Sequence, residues 1–234
     1  MKSGVLYLMD SSKEAADHVN RSYLYGGKWG AGDVRFENLN NDNKIDIGDN
    51  TLANPGDRKI IGNSTPRFAY GITAGLEYKG FDFEMFWQGI GKRDWFPGSG
   101  SAAFWGFTDE WQTPLTTSLD YWTTENTGAY FPKLGWANRG NRTVSTRYLQ
   151  NASYCRLKNV TLGYTLPKSI VSKIGVSRLR VYITGENLFT FTSLIKAFDP
   201  ETLSNMTYPI NKKIFVLFLT LCFSALFFSN NNLN

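Results

Sequence analysis

The residues this sequence has least of are those that do catalysis and cross-linking. Two cysteines, Cys155 and Cys222, and one histidine, His18, are spread over 234 residues. No CxxC pair and no Cys/His cluster exists, which argues against a disulfide framework and a structural zinc site. His18 stands in a polar stretch with no second His or Cys nearby and reads as a solvated surface side chain. A nucleophile elbow, a phosphate-binding glycine loop and an HExxH motif are all missing. The expected class is therefore not an enzyme. Basic runs are lacking too: the net charge of +5 is dispersed along the chain, without the compact basic footprint of a nucleic-acid binder. The opening stretch MKSGVLYLMDSSKEAADHV has no apolar core long enough for a secretory signal.

Aromatic residues and glycine are plentiful. Aromatics make up 15% of the chain, with seven Trp and 22 Gly, and only 19% of residues are charged. That composition argues against disorder and for many short strands and turns. The length suits one large domain or two small ones, enough to bury a core.

Period-two patterning is clearest in RFAYGITAGLEYKG, where Phe68, Tyr70, Ile72, Ala74, Leu76 and Tyr78 alternate with small or polar residues. A tight Lys79-Gly80 turn then leads into FDFEMFWQG, where Phe81, Phe83, Met85 and Trp87 alternate with Asp82, Glu84, Phe86 and Gln88. The two predict a hairpin of long strands with one apolar face. Strands of about nine to eleven residues, apolar outside and polar or small inside, with aromatics at their ends, favour a transmembrane barrel, although the alternation alone fits a soluble sheet equally well. The pattern returns in NVTLGYTLP and in SRLRVYITGENLFTF. In the first, Tyr154, Arg156 and Lys158 share the apolar parity but are polar, so that end rises out of the membrane or carries a bulge. In the second, a bulge or twist is expected at Gly185 to Asn187.

Between Lys92 and Arg147 no period survives, and the stretch is rich in Gly, Asn, Thr and aromatics. Long loops of this kind belong on the extracellular side of an outer-membrane barrel. Trp95, Trp105, Trp111, Trp122 and Trp136 are the candidates for contacts with a substrate or partner, against packing of the loop on itself.

In FENLNNDNKIDIGDN, oxygen-bearing side chains stand at Asn38, Asn40, Asp42, Asp46 and Asp49, with Lys44 where a backbone carbonyl serves. This is the ligand spacing of a calcium loop. Asn at the first place and Asp at the last weaken it, so the expectation is a low-affinity structural Ca2+ site, or else a loop of Asx turns.

Last comes NKKIFVLFLTLCFSALFFSNNNLN, with Lys212 and Lys213 before an apolar run from Ile214 to Phe228 and a polar end. That is the layout of a secretory signal, and the run is shorter than the roughly 20 residues of a spanning helix.

The blocks GDVRFENLNNDNKIDIGD, DRKIIGNSTPRFAYGI, YLQNASYCRLKNVTLGYTLPK and LRVYITGENLFTFT, followed by FDPET, resemble in content and order the carboxy-terminal part of SusC/RagA-type TonB-linked outer-membrane proteins. The resemblance runs from about Gly30, or from Gly4, to Pro209. It implies an all-β fold, a segment of an antiparallel transmembrane barrel of about 22 strands. It also implies import of glycan oligomers or peptides, energy from the TonB complex through an amino-terminal part not present here, and a SusD-like lipoprotein partner. The expected organisation is residues 1–66 as an extracellular loop region, 67–209 as barrel strands with the long loop 92–147, and 210–234 as a signal-like apolar tail. Thr73, Glu77, Glu84, Arg178 and Arg180 are expected to line the lumen. Family members close the barrel with an amphipathic strand, and the tail lacks that alternation. It is expected to be a neighbouring protein's signal joined on, with a modified last strand or a short spanning helix as alternatives. As a fragment the chain is expected not to transport alone. A secreted, calcium-stabilised carbohydrate-binding β domain is the other reading.

Overall fold

A computed structural model of the chain describes residues 7–8, 19–25, 29–106, 108–113, 116–135, 139–203 and 213–223. His18, Trp136 and residues 224–234 of the tail lie outside the described residues. In chain order the elements are β1 (Tyr7–Leu8), α1 (Ser22–Tyr25), β2 (Val34–Arg35), β3 (Arg67–Tyr78), β4 (Phe81–Lys92), β5 (Asp94–Trp95), α2 (Ala102–Trp105), β6 (Gln150–Asn151), β7 (Tyr154–Thr165), α3 (Lys168–Val171), β8 (Val176–Thr192) and β9 (Lys213–Phe223). The chain divides into two compact units. A sheet unit takes Arg67–Gly91, Ser153–Thr192 and Ile210–Asn234, and a loop unit takes Met1–Pro66, Lys92–Ala152 and Ser193–Pro209. Among the described residues no helix is long and apolar enough to cross a membrane.

The sheet unit is a single five-stranded sheet in the order β3, β4, β7, β8, β9. Its first hairpin turns where Lys79 (φ 47°) and Gly80 (φ 88°) both take positive φ, the type I′ conformation that matches the twist of the flanking strands. Register then sorts the side chains. Phe83, Leu162 and Ile183 stand in one row, and Phe81, Tyr164 and Val181 in the next. The intervening rows are Asp82, Gly163 and Tyr182, and Glu84, Thr161 and Thr184. Because strand side chains alternate between faces, one face is apolar and the other polar. The apolar face is uncovered: Phe68, Tyr70, Ile72, Leu76, Tyr78, Phe81, Leu162, Ile183, Phe189 and Phe191 are all exposed.

Lys158 is an extra residue of β7 against β4, since Phe86 pairs with Asn159 and Trp87 with Leu157. Opposite it in β8, Asn187 and Leu188 lie between the pairs Asn159–Glu186 and Leu157–Phe189. Asn187 takes φ 54°, a conformation Asn tolerates better than most residues. The bulge reverses parity, so Arg156 joins the polar face opposite Gln88 and Thr190, and Leu157 and Cys155 join the apolar one. Both bulges expected from the sequence are present.

Over Lys213–Phe223 of the tail the backbone pairs antiparallel with β8 as a strand. A strand edge is a row of backbone N–H and C=O groups, and pairing with it needs no side-chain alternation. The register nevertheless sets Lys213 opposite Glu186, Thr220 opposite Arg180 and Cys222 opposite Arg178.

The loop unit has little regular structure and an aromatic core. Phe104 is its centre, with ring centroids of Trp105, Phe131, Tyr148 and Phe198 at 4.8, 5.3, 5.9 and 6.3 Å. Val34, Phe36 and Ile45 belong to the same buried cluster, as do Tyr25, Ala152, Leu194 and Leu203. Each large apolar side chain among them contributes roughly 1.5–3 kcal/mol of transfer free energy, which accounts for a compact unit built from long connections. The long connection after β4 extends to Ala152, with β5 and β6 paired near its two ends, and residues 193–209 join the same unit.

Candidate functional site: the polar sheet face and the loop unit

Alternation places Thr73, Glu77, Glu84, Arg178 and Arg180 around one polar groove of about 960 Å3 at the end of the sheet that carries the Lys79-Gly80 turn. Arg180 grips Asp82 in a two-pronged ion pair, with Nε donating to Oδ1 at 3.0 Å and Nη2 to Oδ2. The guanidinium also lies 4.8 Å from the centre of the Tyr182 ring. Asp82 and Arg180 belong to β4 and β8, so the pair reaches across β7, and Gly163 leaves it room. A Cβ at Gly163 would stand 2.6 Å from both Asp82 oxygens. A second hollow of about 370 Å3 is lined by Thr73, Glu84, Asn159, Thr161, Thr184 and Glu186. Within it the Thr161 and Thr184 hydroxyls are 3.0 Å apart. The face offers charge of both signs, hydroxyls and an amide. It can line a polar passage.

In the loop unit the tryptophans differ. Trp105 is 5% exposed and donates its indole N–H to the Gly98 carbonyl at 2.9 Å. Trp95 is half-buried and packs on Phe198, with centroids 4.8 Å apart. Trp122 lies against Gly32, whose φ of +85° lets the backbone pass beneath the ring. Trp111 is 86% exposed, so of the four described candidates it presents the most surface to a partner. Trp105 and Trp95 serve the core instead.

A buried polar network holds the unit together, and no periodic pattern announced it. Asp33 is fully buried and accepts from the Gly30 amide (2.9 Å), from Asn141 Nδ2 (2.9 Å) and from the Lys133 ammonium (2.8 Å). Asn141 Oδ1 accepts from the Val34 amide at 2.8 Å, and the Tyr25 hydroxyl donates to the Val34 carbonyl at 2.6 Å. Burial, with Asp33 nearby, pushes the Tyr25 hydroxyl well above the ordinary tyrosine range. Burial does the same to Tyr148. The motif GDVRF contains Asp33, but two of its partners, Lys133 and Asn141, lie about a hundred residues away.

The acidic loop is a chain of Asx turns. Asn40 Oδ1 accepts from the Asp42 amide (3.2 Å), Asp42 Oδ1 from the Lys44 amide (3.0 Å) and Asp46 Oδ1 from the Gly48 amide (2.7 Å). Asn41 and Asn43 take positive φ. The Lys44 ammonium sits 3.0 Å from Asp46 and 3.9 Å from Asp42, while Asp49 is turned to Asn54 at 2.8 Å. The Gly48 amide and then Lys44 hold the Asp46 carboxyl below its usual range, and Asp46 raises Lys44. Beneath the loop, buried Asp57 accepts from the Leu39 and Asp46 amides at 2.7 and 2.9 Å. Among the described residues no group of three or more His, Cys, Asp or Glu side chains is gathered closely enough to hold a metal.

No family model matches the chain. A TonB-dependent receptor of Formosa agariphila is 35% identical over 162 residues, covering 67% of this chain and 15% of the relative. The TonB-dependent receptor SusC of Bacteroides thetaiotaomicron is 28% identical over 192 residues, covering 80% of this chain and 18% of the relative. The chain thus spans less than a fifth of the length of these relatives. Among solved structures, the RagAB peptide transporter superposes with a TM-score of 0.53 at 28% identity, covering 73% of this chain and 18% of that one. The RagAB peptide importer in its open-open state gives 0.54 at 28% identity, covering 74% and 19%. Sequence relatives and fold agree with the two-faced antiparallel sheet, and the chain belongs to the SusC/RagA-type TonB-dependent receptors of the outer membrane.

Proposed function

We propose that this chain supplies part of the wall and outer loops of a TonB-energised importer that takes up glycan oligomers or peptides with a SusD-like lipoprotein. The observation that carries this reading is the sheet itself, with one apolar face uncovered from Phe68 to Phe191 and one polar, ion-paired face. A soluble carbohydrate-binding domain has no use for so large an uncovered apolar face. In lipid such a face is satisfied, provided that the strand edges are paired in a closed wall. In this reading the short connections face the periplasm, the loop unit faces outward, and the polar residues line the passage without doing chemistry.

The test is uptake of a labelled oligosaccharide mixture and a labelled oligopeptide mixture by cells with and without the intact gene. Gene-dependent accumulation of one class, abolished when the proton-motive force is dissipated, is expected. Equal accumulation of both classes with and without the gene would overturn the proposal.

For the acidic loop we propose a weak structural calcium site formed by Asn38, Asn40, Asp42, the Lys44 carbonyl, Asp46 and Asp49. Its support is Asn38 Oδ1, shielded from solvent and without a hydrogen-bond partner, at the first place of a set of hard oxygen donors. The Lys44 ammonium competes for Asp42 and Asp46, so Lys44→Ala is expected to tighten calcium in a calorimetric titration. An Asp42→Ala trace identical to that of the unaltered protein rules the site out.

A further inference from the structure

The structure assigns a lipid contact to the two short connections at one end of the sheet. We propose that residues 79–80 and 166–175 seat on phospholipid headgroups, with Ile170 and Ile174 in the apolar boundary and Lys79, Lys168 and Lys173 on phosphates. The proposal rests on the sheet being a membrane wall.

The connection after β7 continues as α3 and a single 3-10 turn, Ser172–Ile174. Val171 and Val176 are buried and hold it to the unit, and the Leu166 amide donates to the Leu179 carbonyl at 2.9 Å. That docking leaves Ile170 and Ile174 outward, 53% and 65% exposed. The two stand on consecutive short turns, α3 and the 3-10 turn. Lys168 and Lys173, both exposed, flank them. In the other connection the Lys79 ammonium lies 5.2 Å from the centre of the exposed Tyr78 ring. Together these two connections hold three lysines and no Asp or Glu.

Depth is set by the neighbouring aromatics. Phe81 and Tyr164 pack on the apolar face with centroids 4.5 Å apart, and aromatic girdles mark the edge of the hydrocarbon. Tyr164 is followed at once by Thr165, the last residue of β7. At about 3.4 Å per residue, the connection begins within the headgroup layer. Apolar steps beside lysines whose stems lie along the boundary suit that layer. Anionic phosphate complements the unbroken positive charge. Tyr78, Phe81 and Leu162 of the neighbouring strands are exposed as well.

The test uses nitroxide labels on the receptor as its cells make it, with Cys155→Ser and Cys222→Ser as background. It is purified and placed in phosphatidylcholine vesicles with or without phosphatidylglycerol. A label at Ile174→Cys is read for collision with oxygen, which favours hydrocarbon, and with a water-soluble nickel chelate. A label at Leu162→Cys reports the wall. The expected result is oxygen preference at both positions and a further loss of nickel contact at 174 when phosphatidylglycerol is added. That added loss is expected to disappear in Lys168→Ala/Lys173→Ala. Oxygen preference at 162 with free nickel access at 174 overturns the headgroup contact and leaves the wall standing. Nickel access at both positions overturns the wall reading itself. A label at 174 shielded from both reagents places the turn against protein and overturns the contact.

Discussion

Gly163 carries its function through an absent side chain, because the Asp82–Arg180 pair passes where a Cβ would be. Gly163→Val is expected to part the two charges. Differential scanning of the purified receptor should show Gly163→Val and Asp82→Ala each lowering the melting temperature, with the double variant falling no further than the worse single one. Additive losses would mean that the two residues act independently. Arg180 was legible as a polar-face residue from strand parity, but its partner stands 98 residues away, and parity names a face without naming a partner. The same limit hid Asn141. Asn141→Ala leaves the buried Val34 amide without its acceptor and removes one of the donors to Asp33, at a cost of about 1–3 kcal/mol for the unsatisfied amide. Faster proteolysis within residues 19–36 checks it. Trp105→Ala is expected to cost about 3–5 kcal/mol, as for other buried aromatics. Trp111→Ala should stay within about 0.5 kcal/mol and show its effect, if the loops hold a partner, in binding.

At the scale of elements the bulge at Lys158 decides which way Arg156 points. Its guanidinium Nε donates to Thr190 at 2.9 Å on the polar face. Deleting Lys158 restores simple alternation and turns Arg156 to the lipid side, where a cation costs roughly 2–4 kcal/mol near the bilayer midplane and less toward its edges. Loss of the receptor from the outer-membrane fraction is the expected outcome. The sequence showed this bulge as a break in parity, a local signal. The acidic loop carries a pH dependence whose direction follows from its two shifted groups. Asp46 is depressed below 3.8, so its stabilising contribution is present above that value and lost as pH falls through the lower folded-state value. Lys44 is raised above 10.5, so its contribution is present below that value and lost as pH rises through the higher one. Hydrogen exchange at the Gly48 amide, corrected for intrinsic rates, should stay protected between those limits and lose protection outside them.

The molecule as a whole joins a two-faced sheet to an aromatic-centred loop unit. Outer-membrane fractions of cells making the receptor should contain it, and protease added to intact cells should cut at loop positions such as Leu52, which is fully exposed. Cleavage confined to lysed cells would reverse the sidedness proposed here. The tail shows how far pattern reading reaches at this scale. Its even apolarity argued against a strand, yet backbone pairing to β8 runs from Val176 to Glu186.

What the amino-acid order determined alone is local: the long two-faced strands, the positive-φ turn at Lys79-Gly80 and the bulges, each set by a residue and its near neighbours. The tertiary structure alone decided that the tryptophan-rich stretch closes on Phe104, that Asp33 meets Asn141 and Lys133, and that Asp82 meets Arg180. Most of those contacts join residues between about thirty and about a hundred positions apart, and their energy comes from burial and pairing that exist only once the chain has brought them together.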